Sequence, residues 1–151
     1  MLILEVAMIH SVLVGVDFSS ASRQALTRAQ AFAELMGVPL TAMHILHLPP
    51  PIMPEVQLPL PDAEWTEGME RQARETLEKW IEGIPNAEAV VHWGSPAEEL
   101  VAAADADTLL VVAQVGHSTL ERLLFGSTAA RVVRHAPGDV LVVRAEAKKK
   151  I

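Results

Sequence analysis

The chain of 151 residues contains no cysteine. That absence excludes a disulfide framework, a zinc site built from thiolates and a cysteine nucleophile. A chain of this length fits one domain, and it can bury roughly two-thirds of its unfolded surface without help from a disulfide or a metal. We therefore expect a single domain over residues 1–151.

Positive charge is also scarce, because 12 Lys and Arg residues stand against 19 Asp and Glu residues and give a formal net charge of −7. Nucleic-acid binding depends on basic side chains that meet phosphates, and no basic stripe is present. The run Lys148–Lys150 lies in a tail over residues 145–151. We interpret it as solvated, with a weak electrostatic anchor as the alternative. No nucleic-acid partner is expected.

The N-terminal stretch MLILEVAMIHSVLVGV is apolar but lacks the features of a signal peptide. The first basic residue is Arg23, Glu5 interrupts the run, and no small-residue cleavage site follows. The run is also too short to span a bilayer. We predict an apolar leader over residues 1–8 followed by a buried strand, in a cytoplasmic protein with no membrane partner.

Signatures of common enzymes are missing as well. The sequence has no P-loop, no G-x-G-x-x-G after the first strand and no G-x-S-x-G elbow. His44 and His47 are three apart on a predicted strand, where they point to opposite faces and cannot readily share a metal. We predict no catalytic residue and no metal site, so that the protein binds a ligand and is not an enzyme.

The hydrophobic period alternates between strand and helix along the chain. Gly37 reads as a helix-ending glycine, and Ser95, Pro96 and Glu98 have the spacing of a capping box. A proline-rich stretch over residues 47–63 predicts a surface excursion. Strands are predicted at residues 9–16, 39–46, 87–92, 108–113 and 139–144, and helices at 21–36, 63–82, 96–104 and 126–135. This order predicts an α/β fold with one doubly wound, five-stranded parallel sheet and helices on both faces.

Two strand ends carry candidate binding residues, because doubly wound sheets bind ligands beyond the carboxyl ends of their strands. Asp17 follows the first strand. Gly116 and Gly126 bracket a nine-residue segment, and Gly126 and Ser127 begin a helix. A helix N-terminus suits a phosphate, and glycine allows close approach. The plainer alternatives are a glycine turn with a serine cap, and a capping role for Asp17.

The stretch AQVGHSTLERLLFGSTAARVVRHAPGDVLVV resembles the C-terminal signature of the universal stress protein family: Gly-x-x-Gly, nine residues, Gly-Ser, a helix and a Val-rich strand. VLVGVDFSSAS, TAMHIL and GSPAEELVAAA are similar to that family too and occur in the same order. The resemblance covers nearly the whole chain outside the proline-rich excursion. It implies a Rossmann-like fold with strand order 3-2-1-4-5.

The resemblance also implies a stress-response regulatory protein that binds ATP or AMP, with Mg²⁺ as an accompanying ion. Asp17 would contact the nucleoside, the backbone of Ile45 would meet the adenine edge, and Val112 would pack nearby. The ribose and phosphates would be held by Gly116, Gly126, Ser127 and Thr128. The family further implies a homodimer through the edge strand Val140–Val143. The alternatives are a dimeric interaction module that binds no nucleotide but an unidentified protein partner, and slow ATP hydrolysis at the same site.

One position departs from the family motif, since Ala113 stands where the motif has its first glycine. If that backbone needs a positive φ or lies against the ribose, the methyl group of Ala113 weakens binding. If the backbone angles are ordinary, the substitution costs little. The sequence leaves both alternatives open.

Overall fold

The computed structural model describes residues 8–47, 62–115 and 127–145. Residues 1–7 of the predicted leader, residues 48–61 of the proline-rich excursion and residues 146–151 of the tail lie outside the described residues, as do Gly116 and Gly126. Of Val115 and Ser127 the structure describes the backbone assignment and not the side chain.

Strands and helices alternate through the described residues, as the hydrophobic period predicts. The strands are β1 (Ser11–Gly15), β2 (Leu40–Leu46), β3 (Ala87–Trp93), β4 (Thr108–Val115) and β5 (Val140–Ala145). The helices are α1 (Ser20–Met36), α2 (Ala63–Trp80), α3 (Pro96–Ala103) and α4 (Ser127–His135). Among the described residues, no helix is both long and apolar enough to cross a membrane.

All five strands belong to one sheet in the order β3-β2-β1-β4-β5, and each neighbouring pair is parallel. The predicted fold class and strand order are therefore confirmed. The order reverses direction at β1, since the chain first adds strands on one side of β1 and then on the other. That reversal is the topological switch point, where ligands bind in sheets of this kind.

The two faces of the sheet are covered by different helices. On the first face, α1 and α2 supply Ala25 and Leu77 to a cluster that includes Val12 and Val111. On the second face, α3 and α4 supply Leu100 and Val132 to a cluster with Leu13 and Leu110. Because successive strand residues point to opposite faces, each strand contributes alternately to both clusters. Within each strand, odd-numbered and even-numbered residues therefore place their side chains on opposite faces of the sheet.

Two helix ends test the capping predictions. Gly37 adopts a left-handed conformation with φ of 66° and ends α1, as predicted. Ser95 is the N-cap of α3 and Pro96 follows at its first turn, but Ser95 makes no side-chain hydrogen bond to the helix. The predicted capping box is therefore wrong. Glu98 remains exposed, and the acidic pair Glu98 and Glu99 instead complements the partial positive charge of the first turn.

Candidate functional site

The carboxyl end of β1 forms a notch in the sheet, because β1 stops pairing before either neighbour ends. Its pairing with β4 ends at Val14–Val111, whereas β4 continues to pair with β5 as far as Val115–Ala145. Its pairing with β2 ends at Gly15–Met43, whereas β2 continues along β3 as far as Leu46–Trp93. The ends of β2 and β4 therefore stand on either side of a gap at the switch point.

Ile45 presents its backbone to this notch. The last backbone hydrogen bond between β1 and β2 runs from the N–H of Val16 to the carbonyl of Met43, over 2.8 Å. In a parallel ladder every second residue faces the same neighbour, so Ile45 aims its N–H and C=O toward β1 as Met43 does. Within the described part of the chain, no backbone hydrogen bond to β1 continues beyond Val16. Among the described residues, the backbone donor and acceptor of Ile45 that face the gap therefore have no backbone partner on this side.

Asp17 lies directly after β1 and is held by the start of α1. The carboxylate oxygen Oδ1 accepts from the backbone N–H of Ser19 over 2.9 Å and from the Ser19 hydroxyl. The Ser19 oxygen in turn accepts from the N–H of Ser22 over 3.1 Å, which makes Ser19 the N-cap of α1. The cap thus fixes Asp17, although Asp17 itself is not the capping residue.

The charge of Asp17 follows from these contacts. Partial burial raises the pKa of Asp17, but hydrogen bonds from the side chain and backbone of Ser19 and from the side chain of Ser22 outweigh it. The pKa therefore lies below the usual value of 3.8. Asp17 is a carboxylate at neutral pH, so it can accept hydrogen bonds but not donate them. It favours a ligand that offers O–H or N–H groups.

Three aromatic side chains and one guanidinium pack around the turn between β1 and α1: Phe18, His44, Trp80 and Arg23. Phe18 has a positive φ of 64°, which is unusual for a bulky residue. Its ring centroid lies 4.4 Å from that of His44 and 5.3 Å from that of Trp80, where the contact is edge-to-face. The Arg23 guanidinium carbon lies 3.6 Å from the centroid of the Trp80 ring. These contacts stabilise the left-handed turn that carries the chain away from the sheet after Val16.

Val112 and Ala113 lie on the β4 side of the notch and point to opposite faces. Val112 belongs to the cluster on the second face, with α3 and α4. Ala113 packs against the cluster on the first face, with α1 and α2. Phe18 and Asn86 are the non-glycine residues with a positive φ in the described part of the chain, and Ala113 is not among them. Ala113 therefore does not adopt the positive φ that the sequence left open, and contact between its methyl group and a ribose stays a prediction.

The N-terminus of α4 completes the predicted site. The helix begins at Ser127, and Thr128 is half-buried in its first turn. Because α4 follows β4, its N-terminus lies at the same edge of the sheet as Asp17 and Ile45. The predicted phosphate ligands Gly116 and Gly126 lie outside the described residues.

Some features of the site escaped the sequence analysis. His44 lies on the predicted second strand and is half-buried, but its contact with Val16 has no sequence signal. Trp65 and Trp93 are far apart in sequence, yet their ring centroids lie 6.4 Å apart. The described residues contain no group of three or more His, Asp or Glu side chains that could hold a metal ion.

A separate cavity of about 300 Å³ opens between α3 and α4 on the second face. Its lining comprises Ala97, Glu98, Val101, Ala102, Arg131 and His135. It shares no residue with the predicted site.

Comparison with known proteins agrees with this architecture. The model of the universal stress protein family matches residues 8–144. The chain is 31% identical over 145 residues to a universal stress protein of Staphylococcus saprophyticus, and the match covers 90% of this chain and 84% of that protein.

Solved structures show the same fold. Universal stress protein UspA from Lactobacillus plantarum matches with a TM-score of 0.65 at 25% identity and covers 91% of this chain and 99% of that chain. A universal stress protein in complex with cAMP matches with a TM-score of 0.58 at 28% identity and covers 89% of this chain and 97% of that chain. The chain therefore belongs to the universal stress protein family.

Proposed function

We propose that this universal stress protein binds an adenine nucleotide, ATP or AMP, in the notch beyond β1 and regulates a stress response through the occupancy of that site. The observation that carries the proposal is the backbone of Ile45, whose N–H and C=O face the notch beside the ionised Asp17. Unpaired backbone groups cost free energy when they are buried, so a polar ligand or water is expected to satisfy them.

The donor and acceptor of Ile45 match the Watson–Crick edge of adenine. Adenine offers an acceptor at N1 and a donor at its exocyclic amine, which fit one backbone N–H and one C=O. Guanine offers a donor at N1 and an acceptor at O6, the reverse order. The pairing therefore favours adenine, because a mismatched base leaves both backbone groups unsatisfied.

The charge of Asp17 determines the orientation of the ligand in the notch. A carboxylate attracts the hydroxyl or amine donors of a nucleoside and repels phosphates. The phosphates are then directed toward the N-terminus of α4, where unpaired N–H groups and the helix dipole favour negative charge. In this arrangement Ser127 and Thr128, with Gly116 and Gly126, hold the phosphates, as the family motif implies, and Val112 lines the second face.

The relative solved with cAMP supports an adenine ligand, because it shares 28% identity with this chain over most of both chains. We expect Mg²⁺ to arrive with ATP on the phosphates, where this ion normally keeps several waters and few protein ligands. The sequence has no P-loop and no G-x-S-x-G elbow, and we propose binding without efficient hydrolysis.

A homodimer through β5 is the second part of the proposal. β5 is one edge of the sheet, and its residues Val140–Val143 are apolar. An apolar edge strand offers unpaired backbone groups to a second copy, and two copies can pair about a two-fold axis. Nucleotide occupancy next to β4, the partner strand of β5, is then positioned to influence the dimer surface.

The purified protein tests the binding proposal directly. Denaturation should release an adenine nucleotide, and calorimetry with ATP and AMP should show saturable binding by the protein freed of nucleotide. If no nucleotide is released and millimolar ATP gives no heat, the proposal fails. The protein would then act as the alternative, an interaction module that recruits a protein partner without a nucleotide.

A further inference from the structure

The Val16 carbonyl has an unexpected hydrogen-bond donor. If the parallel ladder of β1 and β2 ran one step further, this carbonyl would accept from the backbone N–H of Ile45. Instead, the imidazole Nδ1 of His44 lies 2.6 Å from the Val16 oxygen. A carbonyl can only accept, so Nδ1 carries the proton and the side chain of His44 takes the place of the Ile45 backbone.

Phe18 leaves the backbone carbonyl of Ile45 without its partner in the ladder. In an extended ladder the N–H of Phe18 would reach the Ile45 carbonyl. The left-handed φ of 64° at Phe18 turns the chain out of the ladder instead. The rings of Phe18 and His44 pack together with centroids 4.4 Å apart, so the turn and the imidazole hold each other in place.

We infer that His44 is a positioning residue that keeps the nucleotide notch open: its bond to the Val16 carbonyl, together with the turn at Phe18, holds that carbonyl away from the backbone N–H of Ile45. His44 acts through Val16 and Phe18, on the first face of the sheet, and does not itself touch the nucleotide. The inference rests on the proposed function, because the released N–H is the group that would bind adenine. Without the imidazole, we expect the Ile45 N–H to bond to the Val16 carbonyl, so that it is no longer available to the ligand.

Two substitutions separate this role from simple packing. His44→Leu keeps an apolar side chain against Phe18 but removes the donor, so Ile45 should pair with Val16. His44→Asn places an amide N–H close to the position of Nδ1 and should retain the bond to the carbonyl. His10→Leu, at the opposite end of β1 and exposed, is the matched control for the loss of a histidine.

Amide hydrogen exchange and calorimetry with AMP give the two readouts. In the ligand-free wild type, the amide of Ile45 should exchange faster than that of Met43, which lies inside the ladder. In His44→Leu the Ile45 amide should become protected and AMP affinity should fall about tenfold, the effect of one lost hydrogen bond. His44→Asn and His10→Leu should both resemble the wild type.

The outcomes distinguish this inference from the proposed function. If the wild type binds AMP and His44→Leu binds it equally well, the role of His44 is wrong and the nucleotide site stands. If the wild type binds no adenine nucleotide, the proposed function fails, and Ile45 exchange still decides whether His44 holds the ladder open. Equal protection of Ile45 and Met43 in the ligand-free wild type overturns the inference without any variant.

Discussion

Ala113 lies opposite Val143 in the β4–β5 ladder, and both side chains contact the cluster under α1 and α2. The methyl group of Ala113 therefore points to the face of the sheet opposite α4, whose N-terminus is the proposed phosphate end. Ala113 is therefore a strand residue whose partly buried side chain packs against the core.

This placement predicts that Ala113→Gly loses stability without gaining affinity. Glycine in a strand interior costs about 0.5–1 kcal/mol relative to alanine through backbone entropy, and the packed methyl is lost as well. Urea unfolding should show a free energy of unfolding lower by about 1 kcal/mol. Calorimetry with ATP should give the wild-type affinity.

Ala89→Gly is the matched control for Ala113→Gly, because Ala89 is a partly buried strand alanine that packs on the same cluster in β3. It should lose similar stability. A clear gain in ATP affinity for Ala113→Gly alone would show that the methyl group lies against the ligand, contrary to its assigned face.

Asp17→Asn should weaken nucleotide binding. The substitution keeps the shape of the side chain but removes the negative charge, and hydrogen bonds to a charged acceptor are stronger than those to a neutral one. We expect the affinity for AMP to fall about tenfold, measured by calorimetry at neutral pH. Unchanged affinity would mean that the Asp17 carboxylate does not meet the nucleoside.

The same variant tests the charge of Asp17 in the folded protein. The folded pKa lies below 3.8, so the carboxylate contributes stability above that pH and loses it as the pH falls through the folded pKa. The stability difference between the wild type and Asp17→Asn should be constant near neutrality and shrink below pH 3.8. Urea unfolding from pH 7 to pH 3 measures it. A difference that persists unchanged across this range would contradict the assigned hydrogen bonds.

The proposed dimer can be tested with proline, because successive residues of β5 face opposite sides. The N–H of Leu110 bonds to the carbonyl of Asp139 over 3.0 Å. Because every second residue faces the same neighbour, the backbone N–H and C=O groups of Leu141 and Val143 also point toward β4. The N–H of Val142 therefore faces the free edge. Val142→Pro should remove an edge donor, leave the ladder to β4 intact and convert a dimer to a monomer in sedimentation velocity.

Val143→Pro is the comparison for that experiment, since it removes a ladder donor and should lower the melting temperature sharply. If Val142→Pro forms dimers over the same protein concentrations as the wild type, the dimer interface lies elsewhere.

The alternation of strand and helix was predictable because the period of the hydrophobic pattern reports which residues face a core. The strand order followed from the family resemblance. Asp17 was proposed as a binding residue because ligands bind beyond the strand ends at a switch point, and that role stays a prediction. The role of His44 was not predictable, since its bond to Val16 joins residues 28 positions apart through a side chain and a main-chain carbonyl. No periodicity or motif encodes such a contact.

The capping box at Ser95 shows a different limit. The residue types at Ser95 and Glu98 fit the motif, but the motif describes a possible hydrogen bond and not the rotamers that would form it. The position of Trp65 beside Trp93 has a similar cause. Sequence separation measures distance along the chain, and the packing of α2 against β3 brings distant residues together.

The central claim is that the backbone of Ile45 reads the adenine edge of a nucleotide. The most direct test is a titration of ¹⁵N-labelled protein with ATP, followed by GTP, monitored through the amide of Ile45. We predict a saturable shift of that amide with ATP, and a markedly weaker response to GTP because guanine reverses the donor and acceptor. An Ile45 amide that does not move with ATP, or that responds equally to GTP, would contradict the account.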